Sequence, residues 1–177
     1  AITLYGQTRT GKTSLMLHLK NAIRAQYGDT ALIWDMGSIA AAFSQEGCQL
    51  SDFLYLMLSK GKIAVRRNPI LRQAFQHPCP TDEILDHPER TLALFTDYMN
   101  ELDEVMQANH MILVLFIDEF SYLHGYIKQG KLSENFMHFW KALLQNHCIF
   151  AIIAGQDDMP EFLREYPNDF ACMELMK

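Results

Sequence analysis

The stretch Gly6-Gln7-Thr8-Arg9-Thr10-Gly11-Lys12-Thr13 matches the pattern G-x-x-x-x-G-K-[ST] at every fixed position. Its glycines let the backbone curl so that successive N–H groups point inward, and a helix that starts here adds the positive end of its dipole. These features favour a loop that surrounds the phosphates of a nucleotide. Lys12 is then predicted to bind the β- and γ-phosphate oxygens, and the Thr13 hydroxyl to coordinate Mg²⁺.

The residues on both sides of the loop support this interpretation. Residues 2–5 are predicted to form a strand entering the loop, and residues 14–24 a helix leaving it, with Gly28 available to end the helix. A coincidental glycine and lysine loop is the alternative, and its flanking elements count against it. The predicted nucleotide contacts are Gly6, Gln7, Thr8, Arg9, Thr10, Gly11, Lys12, Thr13 and Ser14. The Arg9 side chain is expected to face solvent or a lid.

A second informative stretch is the apolar run 111–117, which is followed at once by Asp118 and Glu119. Such a run is typical of a central parallel strand, whose carboxyl end opens onto the ligand edge of a sheet. There Asp118 is predicted to hold Mg²⁺ through water, in line with Thr13. Glu119 is predicted to orient and polarise the attacking water. The alternative is a pair of surface carboxylates at the end of an ordinary buried strand.

Composition limits the possible classes of protein. The chain has 177 residues, a net charge of −6 and 49% hydrophobic residues, which suits one domain, 1–177, with a substantial core. No apolar run approaches membrane-spanning length, and the acidic balance makes nucleic acid an unlikely partner. The basic cluster Lys62, Arg66, Arg67 and Arg72 is expected to be a solvated face.

The first residue and the cysteines suggest where the protein works. The chain opens directly on a predicted strand, without an initiator Met or a signal peptide. We therefore expect a piece of a longer cytoplasmic protein. Its four cysteines lack C-x-x-C spacing, which favours reduced thiols over a zinc site.

Further elements are predicted along the first half of the chain. Residues 31–36 form a strand, and Asp35 at its end is assigned to a cap or loop rather than to the nucleotide. Residues 51–58 form a short helix, with Ser51 as its N-cap and Gly61 beyond its end. Prolines interrupt residues 62–90, which are predicted to be an irregular, partly helical insertion.

The second half of the chain is predicted to contain three more helices and a buried strand. A long helix starts at Pro88, and its apolar face is predicted to pack on the sheet: Leu92, Phe95, Tyr98, Met99, Leu102, Val105 and Met106. Ser133 caps a helix whose apolar face is Phe136, Phe139, Trp140, Leu143 and Leu144. Residues 148–154 form a buried strand, and residues 159–165 form a helix that Asp157 and Asp158 are expected to cap.

Alternation of strands and helices predicts an α/β fold, a three-layer sandwich in which a parallel sheet of about five strands has helices on both faces. The carboxyl ends of parallel strands meet at one edge of the sheet. Gln156, which follows the strand 148–154, is therefore predicted to lie close to the γ-phosphate and the attacking water. A simple turn residue is the alternative for Gln156.

Three blocks of the sequence resemble P-loop ATPases of the additional-strand, catalytic-glutamate division, and more narrowly the STAND and archaeal-type AAA+-like ATPases. The blocks are Tyr5-Gly6-Gln7-Thr8-Arg9-Thr10-Gly11-Lys12-Thr13-Ser14, Phe116-Ile117-Asp118-Glu119-Phe120-Ser121-Tyr122-Leu123 and Ile153-Ala154-Gly155-Gln156. The resemblance implies that the Gln156 strand lies between the P-loop strand and the acidic strand. It also implies ATP-driven switching, closed with ADP and open or self-associating with ATP, and further lid and sensor domains.

These observations predict Mg²⁺-dependent ATP binding and slow hydrolysis as a conformational or oligomerisation switch, with Lys12, Glu119 and Gln156 in catalytic roles. Arg164 is the candidate arginine finger, although a plain surface arginine suits its position better. ATP is preferred to GTP on the resemblance and on the lack of an N-K-x-D motif. One alternative is a nucleotide-sensing interaction domain with little hydrolysis. A small-molecule P-loop kinase is less favoured because Glu119 follows the metal aspartate, and a DNA motor is less favoured because the chain is acidic.

Overall fold

The computed structural model describes residues 1–7, 11–43, 48–145, 149–171 and 174–176. Five parallel strands form one sheet in the order β2-β3-β4-β1-β5. They are β1 Ile2–Tyr5, β2 Ala31–Ser38, β3 Ile112–Asp118, β4 Ile149–Gly155 and β5 Glu174–Met176. The prediction of a parallel α/β sheet is confirmed, and β4 lies between the P-loop strand β1 and the acidic strand β3 as the resemblance implies.

The helices follow the strands in the alternating order that the sequence predicts. They are α1 Lys12–Tyr27, α2 Ile39–Ala42, α3 Leu50–Arg67, α4 Pro69–Ala74, α5 Thr81–Asp86, α6 Thr91–Ala108, α7 Tyr122–Lys128, α8 Asn135–Gln145 and α9 Met159–Glu165. Single 3₁₀ turns occur at Gly28–Thr30 and Pro88–Arg90. None of these helices combines the length and the apolarity that crossing a membrane requires.

Side chains of β3 alternate between two cores, which makes the sandwich three-layered. Val114 and Phe116 pack in a small cluster with Met16 of α1. Leu113 and Leu115 point into a larger cluster, formed with α3, α6, α7, α8 and α9 on the opposite face. Because strand residues alternate with period two, one apolar run can serve both layers.

Helix α3 is longer than the predicted helix 51–58, and Gly61 lies inside it rather than beyond its end. A Cβ atom at Gly61 would stand 1.8 Å from Cζ2 of Trp34, so glycine is needed here for the close approach of α3 to β2. The cap also differs from the prediction. Gln49 and Asp52, rather than Ser51, form a reciprocal capping box at the helix start.

Residues 62–90 are mostly helical and contribute to the main core, which differs from the predicted irregular insertion. Val65, Leu71 and Ile84 are buried within the large cluster. The prolines start helical segments here instead of breaking them. Asn68, for example, accepts hydrogen bonds from the N–H groups of Ile70 and Leu71, both at 3.0 Å, with Pro69 at the first helical position.

In the predicted apolar face of α6, Val105 is partly buried and Leu92 is 49% exposed, and the other members are buried: Phe95, Tyr98, Met99, Leu102 and Met106. Thr91 takes the buried position in that first turn instead. Pro88 begins a 3₁₀ turn before the helix rather than the helix itself. In α8, Phe136, Trp140 and Leu143 are buried as predicted, while Phe139 and Leu144 pack against the core from partly buried positions.

Candidate functional site

The predicted phosphate loop joins β1 to the amino end of α1, at the carboxyl edge of the sheet. Gly6 and Gly11 both have positive φ, at 154° and 86°, as a tightly curled loop requires. Leu15 N–H donates to Gly11 O at 2.8 Å, so the helix begins within the motif. The predicted contacts Thr8, Arg9 and Thr10 lie outside the described residues. The loop contains Gln7, and the first turn of α1 contains Lys12 and Ser14.

The Lys12 ammonium group is held at the entry of the loop. Its Nζ donates to Gly6 O at 2.6 Å and to Gln7 O at 2.7 Å. These two contacts hold the positive charge of Lys12 at the curl of the backbone between β1 and α1. This geometry suits the predicted contact of Lys12 with phosphate.

Thr13 and Asp118 meet across the site. The Thr13 hydroxyl donates to Asp118 Oδ2 at 2.8 Å, although the two residues are 105 positions apart in the sequence. Hydroxyl and carboxylate oxygens are the ligands that Mg²⁺ prefers, and this pair is close enough to share one ion. No group of three or more His, Cys, Asp or Glu side chains within the described residues forms a metal site. The chemistry of the Thr13 and Asp118 oxygens suits a Mg²⁺ ion whose other ligands would come from phosphates and water.

Glu119 occupies an unusual backbone conformation directly after Asp118. Its φ is +55°, in the left-handed region that residues with side chains seldom adopt. Its N–H donates to Asp118 Oδ1 at 2.8 Å, which closes the turn on the Asp118 carboxylate. The conformation sends the Glu119 side chain toward β2, where Oε2 accepts a hydrogen bond from the Ser38 hydroxyl.

Ser38 is a site residue that the sequence analysis missed. The predicted strand 31–36 stops short of it, whereas β2 continues to Ser38 through an irregularity after Asp35 in which Gly37 has a φ of +72°. Ser38 pairs in register with Asp118 and caps α2, since its Oγ accepts from Ala41 N–H at 3.0 Å. In the sequence, the pair Gly37-Ser38 after the predicted strand is the signal that could have indicated this site residue.

Asp35 lies within β2 rather than in the cap or loop that was predicted for it. Its carboxylate forms an ion pair with Lys20 of α1 and accepts a hydrogen bond from Gly37 N–H at 3.0 Å. The Lys20 ammonium also lies 5.2 Å from the centre of the Phe116 ring. These contacts join α1 to the irregular end of β2.

Gln156 lies at the end of β4, next to the turn that carries Glu119. Its N–H donates to Oγ of the buried Ser121 at 3.1 Å, and its side chain is half-buried. A cavity of about 740 Å³ opens beside it, lined among others by Phe43, Tyr122 and Tyr126. Among the described residues, none of the predicted phosphate and metal contacts lines this cavity.

Helix α9 carries the remaining candidates. Asp158 begins the helix but makes no side-chain cap, which differs from the prediction, and Arg164 is exposed on the last turn. Two contacts of the buried His124 join this helix to α7. Its Nε2 donates to Glu165 Oε2 at 2.6 Å, and its ring stacks on the Phe162 ring with 4.6 Å between the ring centres. The hydrogen bond from His124 lowers the pKa of Glu165.

The two described cysteines are not candidate nucleophiles. Burial raises the pKa of the Cys48 thiol to about 12 and also raises that of Cys79. Both are therefore protonated at neutral pH. Cys148 and Cys172 lie outside the described residues.

Comparison with solved structures identifies the same fold in two archaeal proteins. The chain is similar to ORC2 of Aeropyrum pernix, solved as ADPNP–ADP complexes, with a TM-score of 0.58 and 15% identity over 98% of this chain and 40% of that one. It is also similar to Cdc6p of Pyrobaculum aerophilum, with a TM-score of 0.53 and 16% identity over 98% of this chain and 38% of that one. The fold is therefore the P-loop sandwich of these proteins, and the chain spans about two fifths of their length. No family model and no curated protein sequence matches the chain.

Proposed function

We propose that this domain binds ATP with Mg²⁺ and hydrolyses it slowly, and that the nucleotide state switches its conformation or self-association. The observation that carries the proposal is the contact between Thr13 and Asp118 at 2.8 Å. It joins the hydroxyl of the phosphate-loop helix to the carboxylate of the acidic strand, which is the pair of oxygens that a nucleotide-bound Mg²⁺ requires. The similarity to ORC2, which was solved with ADPNP and ADP, supports the same proposal.

Each residue at the sheet edge then has a defined task. The loop from Gly6 to Gly11 and the amino end of α1 surround the phosphates, and Lys12 neutralises their charge. Thr13 and Asp118 hold Mg²⁺, which when bound stabilises the charge that develops on the β- and γ-phosphate oxygens. Glu119 orients the attacking water and accepts its proton.

The contact between Ser38 and Glu119 supports slow turnover. While the Ser38 hydroxyl donates to Glu119 Oε2, that oxygen is engaged by the protein rather than by water. The domain therefore has a resting arrangement from which the base must be released.

The switch itself rests on the resemblance to STAND and archaeal-type AAA+-like ATPases. Phosphoryl transfer is accelerated by a further cation near the γ-phosphate, and a neighbouring subunit or a further domain is proposed to supply it. Arg164, exposed on α9, is available for that role toward a second copy. We also propose a cytoplasmic location, because the cysteine spacing favours reduced thiols.

Calorimetric titration with ATP and ADP, with and without Mg²⁺, tests the proposal when combined with phosphate release. Lys12→Ala is expected to weaken ATP binding at least roughly tenfold, because a hydrogen-bonded full charge is lost. Lys60→Ala is the control, since Lys60 is an exposed lysine far from the loop and should change nothing. Glu119→Gln is expected to bind ATP normally and to lose about 10²–10⁴-fold in turnover.

Three outcomes would change the assignment. Equal ATP affinity in the Lys12→Ala variant would remove the phosphate-loop claim. ATP binding that is unaffected by Mg²⁺ and by Asp118→Asn would remove the metal site. Tight binding combined with equal, negligible turnover in the wild type and in Glu119→Gln would favour the nucleotide-sensing domain, which the engaged state of Glu119 already suits.

A further inference from the structure

Two hydrogen bonds join the turn after β3 to the end of β4, in addition to those between the paired residues of the two strands. Phe120 N–H donates to Ala154 O at 2.7 Å, and Gln156 N–H donates to Ser121 Oγ at 3.1 Å. The second bond differs from the first because it depends on a side chain. A substitution at residue 121 can therefore remove it without changing the backbone.

Ser121 is suited to hold its partner firmly. Its side chain is fully buried, so no water competes for the hydrogen bond. A hydrogen bond in such surroundings is strong, and leaving its N–H donor unpaired is costly. The end of β4 is also closely packed against the start of α9, because a Cβ atom at Gly155 would lie 2.7 Å from Sδ of Met159. Met159 N–H in addition donates to Gln156 O at 3.0 Å.

We propose that Ser121 is a positioning residue that sets where the Gln156 side chain stands relative to Glu119. This inference rests on the proposed function, in which Glu119 acts on the attacking water, and on the prediction that Gln156 lies close to that water and to the γ-phosphate. Ser121 belongs to the same turn as Glu119, two residues further on, so one short segment carries both the base and the group that fixes Gln156. The hydroxyl acts through Gln156 and does not contact the nucleotide.

Ser121→Ala separates this role from a general structural one. Gln156 is predicted to lie close to the γ-phosphate, which ADP lacks, so the variant is expected to bind ADP like the wild type. Its ratio of ATP to ADP affinity should fall by roughly fivefold, the effect of one lost hydrogen bond. Turnover at saturating ATP should fall by a similar or larger factor. Ser121→Cys, which is nearly the same size and a weak acceptor, should lie between alanine and wild type and serves as the test variant if alanine prevents folding.

A double-mutant cycle with Gln156→Ala identifies the route of the effect. If Ser121 acts through Gln156, the double variant should be no worse than Gln156→Ala alone. Ser133→Ala is the matched control, because Ser133 Oγ also accepts a backbone N–H, that of Asn135 at 3.3 Å, but at the start of α8 and in an exposed position. It should leave the ratio of ATP to ADP affinity unchanged.

The failure of this inference can be told apart from failure of the proposed function. A wild-type chain that binds neither nucleotide would overturn both. Normal wild-type binding, with an unchanged affinity ratio and turnover in Ser121→Ala, would overturn the positioning role alone. Losses that multiply in the double variant would also overturn it, because they would show that Ser121 and Gln156 act independently.

Discussion

Replacing Gly61 by alanine places a methyl group where the Trp34 ring already lies. The new Cβ atom would stand 1.8 Å from Cζ2 and 2.2 Å from two further ring carbons. Trp34 cannot simply turn away, because it is fully buried and its Nε1 donates to Met57 O at 2.7 Å. Either α3 must move off β2, or the ring must leave its hydrogen bond.

The expected cost combines three effects. Restoring an ordinary contact of 3.4 Å needs a shift of about 1.6 Å, and overpacking of this kind costs about 1–3 kcal/mol. Losing the bond from Trp34 to Met57 adds about 1 kcal/mol. The better helix propensity of alanine returns about 1 kcal/mol. The net destabilisation is about 2 kcal/mol, or a fall of roughly 4–8 °C in Tm for a chain of this size.

Thermal and urea denaturation followed by circular dichroism measures this effect, and the chain supplies a matched control. Gly125 also lies inside a helix, α7, but nothing stands within 4 Å of a Cβ atom built there. Gly125→Ala should therefore stabilise the protein by up to about 1 kcal/mol. If Gly61→Ala proved as stable as the wild type, the close packing of α3 on β2 would be wrong.

Two further predictions concern turnover and pH. Ser38→Ala should raise ATP turnover roughly two- to tenfold by freeing Glu119, and unchanged or slower turnover at saturating ATP would show that Ser38 aligns the base instead of restraining it. Glu165, whose pKa is lowered by the hydrogen bond from His124, should contribute stability that is fully present above the ordinary glutamate pKa and lost as pH falls through its lowered folded value. The difference between the urea midpoints of wild type and Glu165→Gln should accordingly shrink as the pH is lowered from about 7 to about 3. A difference in urea midpoint that stays constant over this range would contradict the prediction.

The sequence predicted the elements that depend on local pattern. The apolar run before Asp118 could be only a buried strand, and the glycines around Lys12 required a loop between a strand and a helix. Strand order, by contrast, came from the resemblance, since periodicity does not state which strands pair. The structure confirmed that order.

The errors occurred where distant contacts decide the local structure. Gly61 looked like a helix end, because the sequence does not show that Trp34 packs against it. Ser38 was missed because its strand extends through an irregularity at Gly37, which shifts the register by an amount no alternation pattern encodes. Residues 62–90 looked irregular because their prolines were interpreted as breakers, although a proline also starts a helix well. The nucleotide roles of Lys12, Glu119 and Gln156 stay predictions.

The left-handed backbone conformation of Glu119 lowers the stability of the fold, whereas its side chain is the proposed catalytic base. Stability and the proposed activity therefore favour different residues at this position. A φ of +55° costs a residue with a side chain about 1–2 kcal/mol, whereas glycine adopts it freely and asparagine nearly so. Selection for thermostability alone, in a directed-evolution screen or in a lineage that no longer needs turnover, would therefore favour glycine or asparagine at residue 119. That one exchange would remove the proposed base and spare Lys12, Thr13 and Asp118. Under the proposed function, one stabilising mutation would thus convert this domain into a protein that binds the nucleotide without hydrolysing it.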